Sequence, residues 1–311
     1  MTGVALAVGT QALLPQAAGA ASAARAAAPA VSGPAARVRV ATVSGRATAS
    51  RPPAHARLAA VRRPAAGARV SWLTGDTAGH GLRLTHGGAV AAAVGKIFFT
   101  LGDTNYTCSG TLVRSKRALV VLTAAHCVTD GRGQWAVNWT FVPGYADGAE
   151  PYGQYAARRF FVSPRWHGPA RTERYDVAFV QVTPVTPDGS RSRRTKAPAG
   201  LPIHFAASQT ATQTAGAYVF GYPALPPYSG QYPNYCAGQA AGSVTRKGSA
   251  QIACAMTAGD SGGPWLTGFS PQTGAGPVTA VTAYKLAGDL RTLYGTVLGP
   301  TARALYLRAG G

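Results

Sequence analysis

From Lys96 onward the chain is written in short apolar runs. KIFFTLG (96–102), ALVVLTAAH (118–126), WAVNWTFV (135–142), FFVSPRW (160–166), DVAFVQV (176–182), AYVFGYP (217–223), PVTAVTAY (277–284) and LYGTVLG (293–299) are rich in β-branched and aromatic residues. Gly, Pro and Asn separate them and no long helical period intervenes, so each reads as a strand. Pro300 to Leu307 reads as a short helix with proline in its first turn. Many short strands across residues 89–311 imply an all-β fold, a sandwich or a barrel.

Three stretches break this pattern. PVTPDGSRSRRTKAPAG (184–200) is polar, Pro-rich and basic, and splits the β region into 89–183 and 201–311. Arg191, Arg193, Arg194 and Lys196 could make a cationic site there, but a solvated linker between two β units explains them as well and is preferred. Residues 24–88 are dominated by Ala, Arg, Pro, Gly and Ser, with almost no large apolar residue before Trp72. Such a segment cannot bury enough surface to offset its ordering entropy, so a disordered pro-segment or linker, partly removed on maturation, is expected. Residues 1–23 hold an apolar stretch, Val4 to Leu14, and a small-residue triplet, Ala21-Ser22-Ala23. They read as a signal peptide lacking its basic start, since the first basic residue is Arg25. No strongly apolar run of about 18 residues follows, so no membrane span is expected.

Charge narrows the partners. The chain carries 30 Lys+Arg against 10 Asp+Glu, a net +20. That balance attracts nucleic acid, anionic membranes and anionic cell-surface polymers alike. No helix-turn-helix pattern, zinc-finger spacing or aromatic RNA-binding signature is present, so nucleic acid is not expected as a partner; an anionic cell-surface polymer remains one. The four cysteines fall in two pairs, 108/127 and 236/254, with no Cys-x-x-Cys. Metal and redox readings are weak, and no metal or other cofactor is expected. Two local disulfides, in a secreted, extracellular protein, fit this spacing.

The stretch AMTAGDSGGPW (255–265) then raises a chemical question. Gly, Asp, Ser and Pro are what any tight turn selects. A lone Ser261 hydroxyl is a poor nucleophile; it needs a base, and the base needs an orienting acid. Of six histidines, His55 lies in the low-complexity segment, and His80, His86, His167 and His204 sit in polar or loop-like contexts. His126 ends an apolar strand directly before Cys127, a setting that suits a structural histidine as well as a catalytic one. Among the acids between them, Asp147, Glu150 and Asp188 lie in Gly/Pro-rich turns, and Asp130 precedes Gly131. Asp176 opens the apolar strand DVAFVQV, where a carboxylate risks burial and needs a partner such as an imidazole N–H. The N–H groups of Gly259 and Ser261 are the natural pair to stabilise an oxyanion.

TAAHC (123–127) and GDSGGP (259–264), in the order His, Asp, Ser, resemble the signature motifs of the chymotrypsin-like, or trypsin-like, serine endopeptidases. CSGTLV (108–113) resembles that family's strand before the histidine. The context looks closest to secreted bacterial members. The resemblance implies two antiparallel six-stranded β-barrels with the site in the cleft between them. It implies Ser261 as nucleophile, His126 as general base and then acid, Asp176 as orienting acid, and Gly259 and Ser261 as the oxyanion hole. It makes Cys108–Cys127 the histidine-loop disulfide, leaving Cys236–Cys254 as the other. The implied protein is a monomer acting on protein or peptide substrates.

This sequence departs from the family in two places. No Ile-Val-Gly-Gly-like sequence is present to supply an amine to Asp260, which then needs an internal Arg or Lys, or a different arrangement. Six residues before the nucleophile stands Ala255, not the aspartate that selects basic side chains; Lys285, near the strand that should line the pocket, would favour acidic ones. A rival reading takes GDSGG as the nucleophile elbow of an α/β-hydrolase, but that fold needs a histidine after the serine, and none follows His204. The non-enzyme alternative is a family member kept as a basic surface-binding protein.

Overall fold

The computed structural model describes residues 39–42, 77–85, 88–169, 172–186, 196–208, 215–243 and 246–311. Within them the apolar runs pair into two closed barrels. The first is built from β3 (Val94–Leu101), β4 (Thr104–Val113), β5 (Leu119–Thr123), β6 (Val137–Pro143), β7 (Gln154–Val162) and β8 (Ala178–Val185). Its strands run in the order β7-β6-β3-β4-β5-β8, and a β7–β8 pairing closes the circle. The second uses β9 (Ala215–Gly221), β10 (Asn234–Gly242), β11 (Ser249–Ala253), β12 (Pro264–Thr267), β13 (Val278–Tyr284) and β14 (Thr292–Val297). Its order is β11-β14-β13-β12-β9-β10, closed by β10–β11. Every ladder is antiparallel. Closure removes the exposed edges that a flat sheet of such apolar strands would present.

Two further strands come from the segment expected to be disordered. β1 (Arg39–Thr42) pairs with β7, and β2 (Leu82–Arg83) pairs with β10. The remainder of 1–76 lies outside the described residues, as do His86 and the linker residues 187–195 with Arg191, Arg193 and Arg194. Beyond that gap Lys196 is exposed, and Leu201 bridges back to Val113 of the first barrel. Ile203 then bridges to Val278 of the second.

The interior is aromatic and aliphatic. Phe141, Phe160, Phe179 and Ile97 fill the first barrel, and the same continuous cluster reaches Phe220, Tyr222 and Leu266 of the second. A smaller cluster of Val219, Ile252, Met256, Trp265 and Leu293 fills the far side of the second barrel. Cys108–Cys127 and Cys236–Cys254 are both formed. Each closes a loop of about 20 residues and stabilises by roughly 3 kcal/mol in the chain-entropy account.

The C-terminal helix (Pro300–Ala309) is two residues longer than the sequence suggests. It ends at Gly310, left-handed at φ 116°, whose N–H reaches Tyr306 O. Among the described residues no helix is long and apolar enough to cross a membrane.

Candidate active site

The β5–β8 ladder sets the first two groups. Thr123 pairs with Ala178, so the turn following β5 meets the residues preceding β8. That turn is a short 3-10 segment, Ala125–Cys127, and the approach to β8 is another, Glu173–Tyr175. His126 is thereby placed on Asp176. Its backbone N–H donates to Asp176 Oδ1 at 3.0 Å, and its Nδ1 lies 2.7 Å from Asp176 Oδ2. Asp176 is 3% exposed, so both of its oxygens are held in a nearly dry setting. An ionised carboxylate only accepts, so Nδ1 carries the proton and Nε2 is left as the basic nitrogen. Burial by itself would lower the His126 pKa. The charge of Asp176, its hydrogen bond and the more distant charge of Asp260 outweigh that, and the pKa is raised.

The other acids are engaged elsewhere. Asp130 Oδ1 accepts the N–H groups of Arg132, Gly133 and Gln134. Asp147 accepts the Tyr232 hydroxyl, Glu150 the Gln154 amide, and Glu173 pairs with Arg246 at 3.0 Å. Asp188 lies outside the described residues. His80, His167 and His204 are exposed, and among the described residues no carboxylate pairs with them.

Ser261 sits on a turn between β11 and β12 that is pressed against the histidine loop. Its carbonyl accepts the Ser109 N–H at 2.8 Å, and Cys127 Sγ lies 3.7 Å from the same oxygen. A Cβ at Gly262 would overlap Thr123 Oγ1 and come within 2.8 Å of Ala124 N, so only glycine lets the two turns approach. Gly259 has φ 103°, and a Cβ there would lie 2.5 Å from Tyr222 O. Among the described residues neither the Gly259 nor the Ser261 N–H meets an acceptor, whereas Gly262 and Gly263 donate to Thr282 O and Asp260 O. Two unclaimed N–H groups beside a serine are what an oxyanion site requires.

Ser109 carries more of this arrangement than the sequence suggests. Its hydroxyl donates to Gly259 O and accepts the Tyr222 N–H, each at 2.8 Å, and its carbonyl accepts the Thr123 hydroxyl. The available signal was a small hydroxyl inside the apolar strand CSGTLV.

Among the described residues Asp260 meets no cation. It is buried, its Oδ2 has no hydrogen-bond partner, and burial pushes its pKa up to about 7 despite the charges of Lys285 and His126. Of the two alternatives the sequence leaves open, an internal Arg or Lys or a different arrangement, the described residues supply no Arg or Lys in contact. Lys285 instead donates to Cys254 O, Leu290 O and Thr292 O at 2.6, 2.8 and 3.4 Å. Its three protons clamp the loop 285–292 and leave none for a substrate carboxylate. Ala255 is half-buried, and its N–H donates to Gly79 O. The sulfurs of Cys108 and Cys127 lie within 4.8 Å of the His126 ring, but their disulfide leaves no thiolate to join it as a metal ligand.

Two closed six-stranded barrels, with a His–Asp pair on a loop against which the Ser261 turn packs, have the architecture of a serine protease of the chymotrypsin fold. The sequence matches the trypsin-like peptidase domain over residues 108–268, just over half its length, and the chain belongs to that family. Protease Anisep from Arthrobacter nicotinovorans is 32% identical, covering 72% of this chain and 98% of that one, with a TM-score of 0.62. The thermostable serine protease AL20, from an extremophilic microorganism, is 28% identical over 71% and 98%, with a TM-score of 0.62. A Glu endopeptidase is 16% identical over 76% and 99% at a TM-score of 0.56, which speaks for the fold alone. No curated protein matches.

Proposed function

We propose that this chain is a secreted serine endopeptidase that cleaves peptide bonds through Ser261, His126 and Asp176 with an acyl-enzyme intermediate. The observation that carries the reading is the 2.7 Å contact of His126 Nδ1 with buried Asp176, on the turn that abuts Ser261.

In this reading Nε2 of His126 takes the proton of Ser261 Oγ as that oxygen bonds to the scissile carbonyl carbon. The electron pair moves onto the carbonyl oxygen, which the Gly259 and Ser261 N–H groups receive. The imidazolium is stabilised by Asp176, consistent with its raised pKa. It returns the proton to the leaving amine as the C–N bond breaks, leaving an ester on Ser261. Water repeats the sequence, freeing the acid and restoring the serine. Ala255 puts a methyl group at the pocket position, and the Lys285 protons are engaged, so a neutral side chain is proposed before the cleaved bond.

Export is supported by the two disulfides and by the apolar Val4 to Leu14 stretch with its small-residue triplet. The protein is proposed to act as a monomer on protein or peptide substrates, with the net charge of +20 favouring anionic cell-surface polymers as its surroundings.

A fluorophosphonate probe tests the reading. The protein is expected to be labelled at Ser261 and to hydrolyse peptide amides. Ser261→Ala abolishes labelling, and His126→Ala lowers kcat by about 10⁶-fold. Equal labelling of Ser261→Ala, or none of the parent protein, would overturn it.

A further inference from the structure

The residues just ahead of the first barrel are fastened to the second. Thr77 is buried; its N–H and hydroxyl both donate to Ala237 O, and its hydroxyl accepts the Ala237 N–H at 3.1 Å. Ala78 and Gly79 both have positive φ, at 49° and 78°, and turn the chain so that Gly79 O accepts the Ala255 N–H at 2.8 Å. Gly81 N–H donates to the Tyr228 hydroxyl at 3.1 Å. Leu82 and Arg83 pair with Tyr235 and Asn234 of β10, and Leu84 N–H reaches Pro233 O. The Arg83 guanidinium stacks 3.3 Å above the Tyr232 ring.

These contacts fall on two loops that flank the proposed site. Ala255 begins the approach to Ser261. Tyr228 belongs to the loop 222–231, whose Ala224 N–H donates to Ala258 O, next to the Gly259 oxyanion donor. Gly81 lies where the two loops meet. A Cβ there would overlap the Tyr228 hydroxyl and sit 2.8 Å from Met256 Cγ, so any larger residue must push one of these side chains aside.

We propose that residues 77–84 are a permanent strap of the working enzyme that sets the wall of its specificity pocket, with Gly81 and Tyr228 as positioning residues. Maturation therefore cuts ahead of Thr77, and residues 77–84 are not part of any segment removed. The strap holds Ala255 by its backbone and Met256 by packing, so its displacement alters which side chain fits before it alters the acyl-transfer step. The proposal rests on the reading of Ala255 as a pocket residue.

Two measurements on the full chain test it. The first is the ratio of kcat/KM between peptide substrates that differ only in the side chain before the cleaved bond. Gly81→Ala is expected to shift that ratio by about 10-fold or more, the scale that small misplacements produce. Labelling of Ser261 is retained. Tyr228→Phe alone shifts the ratio a few-fold. Combining the two variants restores part of the loss, because removing the hydroxyl makes room for the methyl group. A uniform fall for all substrates, or no change in the ratio for either single variant, overturns the positioning role.

The second measurement does not depend on activity. Full-length protein is treated with a broad-specificity protease, and the resistant core is sequenced from its N-terminus. A core starting at Thr77 or earlier supports the strap; any later start overturns it. A parent protein that fails to label at Ser261 sinks the proposed function, while the core's first residue still decides the strap.

Discussion

Asp260 is the least satisfied residue of the site. A buried carboxylate with a free Oδ2 prefers its neutral form, and burial holds its pKa near 7 against an ordinary 3.8. Folding thus favours the proton. The stability this contributes is fully present below the unfolded value and is lost as pH rises through about 7. Asp260→Asn has no such proton to lose. Between pH 4 and pH 8 the parent should therefore lose stability relative to Asp260→Asn, on the order of 4 kcal/mol for a shift of this size. Thermal unfolding of both proteins across that range measures it. A parent that gains on the variant as pH rises would mean that the carboxylate is paired with a cation after all. The neighbouring residues were more legible in the sequence. His126, Asp176 and Ser261 stood out through TAAHC and GDSGGP in the order His, Asp, Ser, since the local setting of His126 suits a structural histidine equally and that of Ser261 any tight turn. The surroundings of Asp260 were not legible, since whether a basic side chain reaches it depends on loop paths, and Lys285 proves to be tied to three carbonyls instead.

At the scale of elements, the strands were readable and their extra duties were not. Alternating and continuous apolar runs announce strands because a barrel wall needs apolar side chains on its inner face. β1 and β2 escaped that logic: Arg39–Thr42 and Leu82–Arg83 are short additions whose apolar content is slight, and they are held by backbone pairing. Ser109 escaped it for the opposite reason, being buried where an apolar residue would be expected. β4 delivers its hydroxyl to both Gly259 O and Tyr222 N, joining the first barrel to the turn that carries the proposed oxyanion donors. Ser109→Ala leaves both groups without their partner. It should destabilise the protein by about 1–3 kcal/mol. Because it loosens Gly259 rather than substrate contacts, kcat should fall by about 10-fold with KM little changed. Denaturant unfolding together with steady-state kinetics separates the two effects. A KM rise at constant kcat would place Ser109 outside the oxyanion turn's support.

The two barrels are locked across their junction by polar contacts as well as apolar ones. Tyr222 OH donates to Tyr145 O, Tyr145 OH to Gln231 Oε1, and Asp147 N–H to Gln231 O. Lys96 is the most exacting of these ties. It is 4% exposed, its ammonium donates to Gly230 O at 2.7 Å, and it lies 4.9 and 5.0 Å from the Phe98 and Tyr145 rings. Among the described residues no carboxylate pairs with it. Burial lowers its pKa from 10.5 to about 8. The folded state therefore sheds this proton before the unfolded chain does, so the parent gains stability as pH rises from about 8 to 10.5. Lys96→Met, with no proton to shed, should lack that gain, which amounts to roughly 3 kcal/mol if the whole shift is expressed. The loop anchored at Gly230 also carries Ala224, whose N–H donates to Ala258 O beside the proposed oxyanion donor Gly259. Cutting the tie should thus lower kcat while Ser261 still labels. Chemical denaturation of parent and variant at pH 7.5 and pH 10 reads the first effect, and probe labelling with kinetics the second. Parallel stability curves for the two proteins would show that the Lys96 ammonium is solvated and does not hold the barrels together.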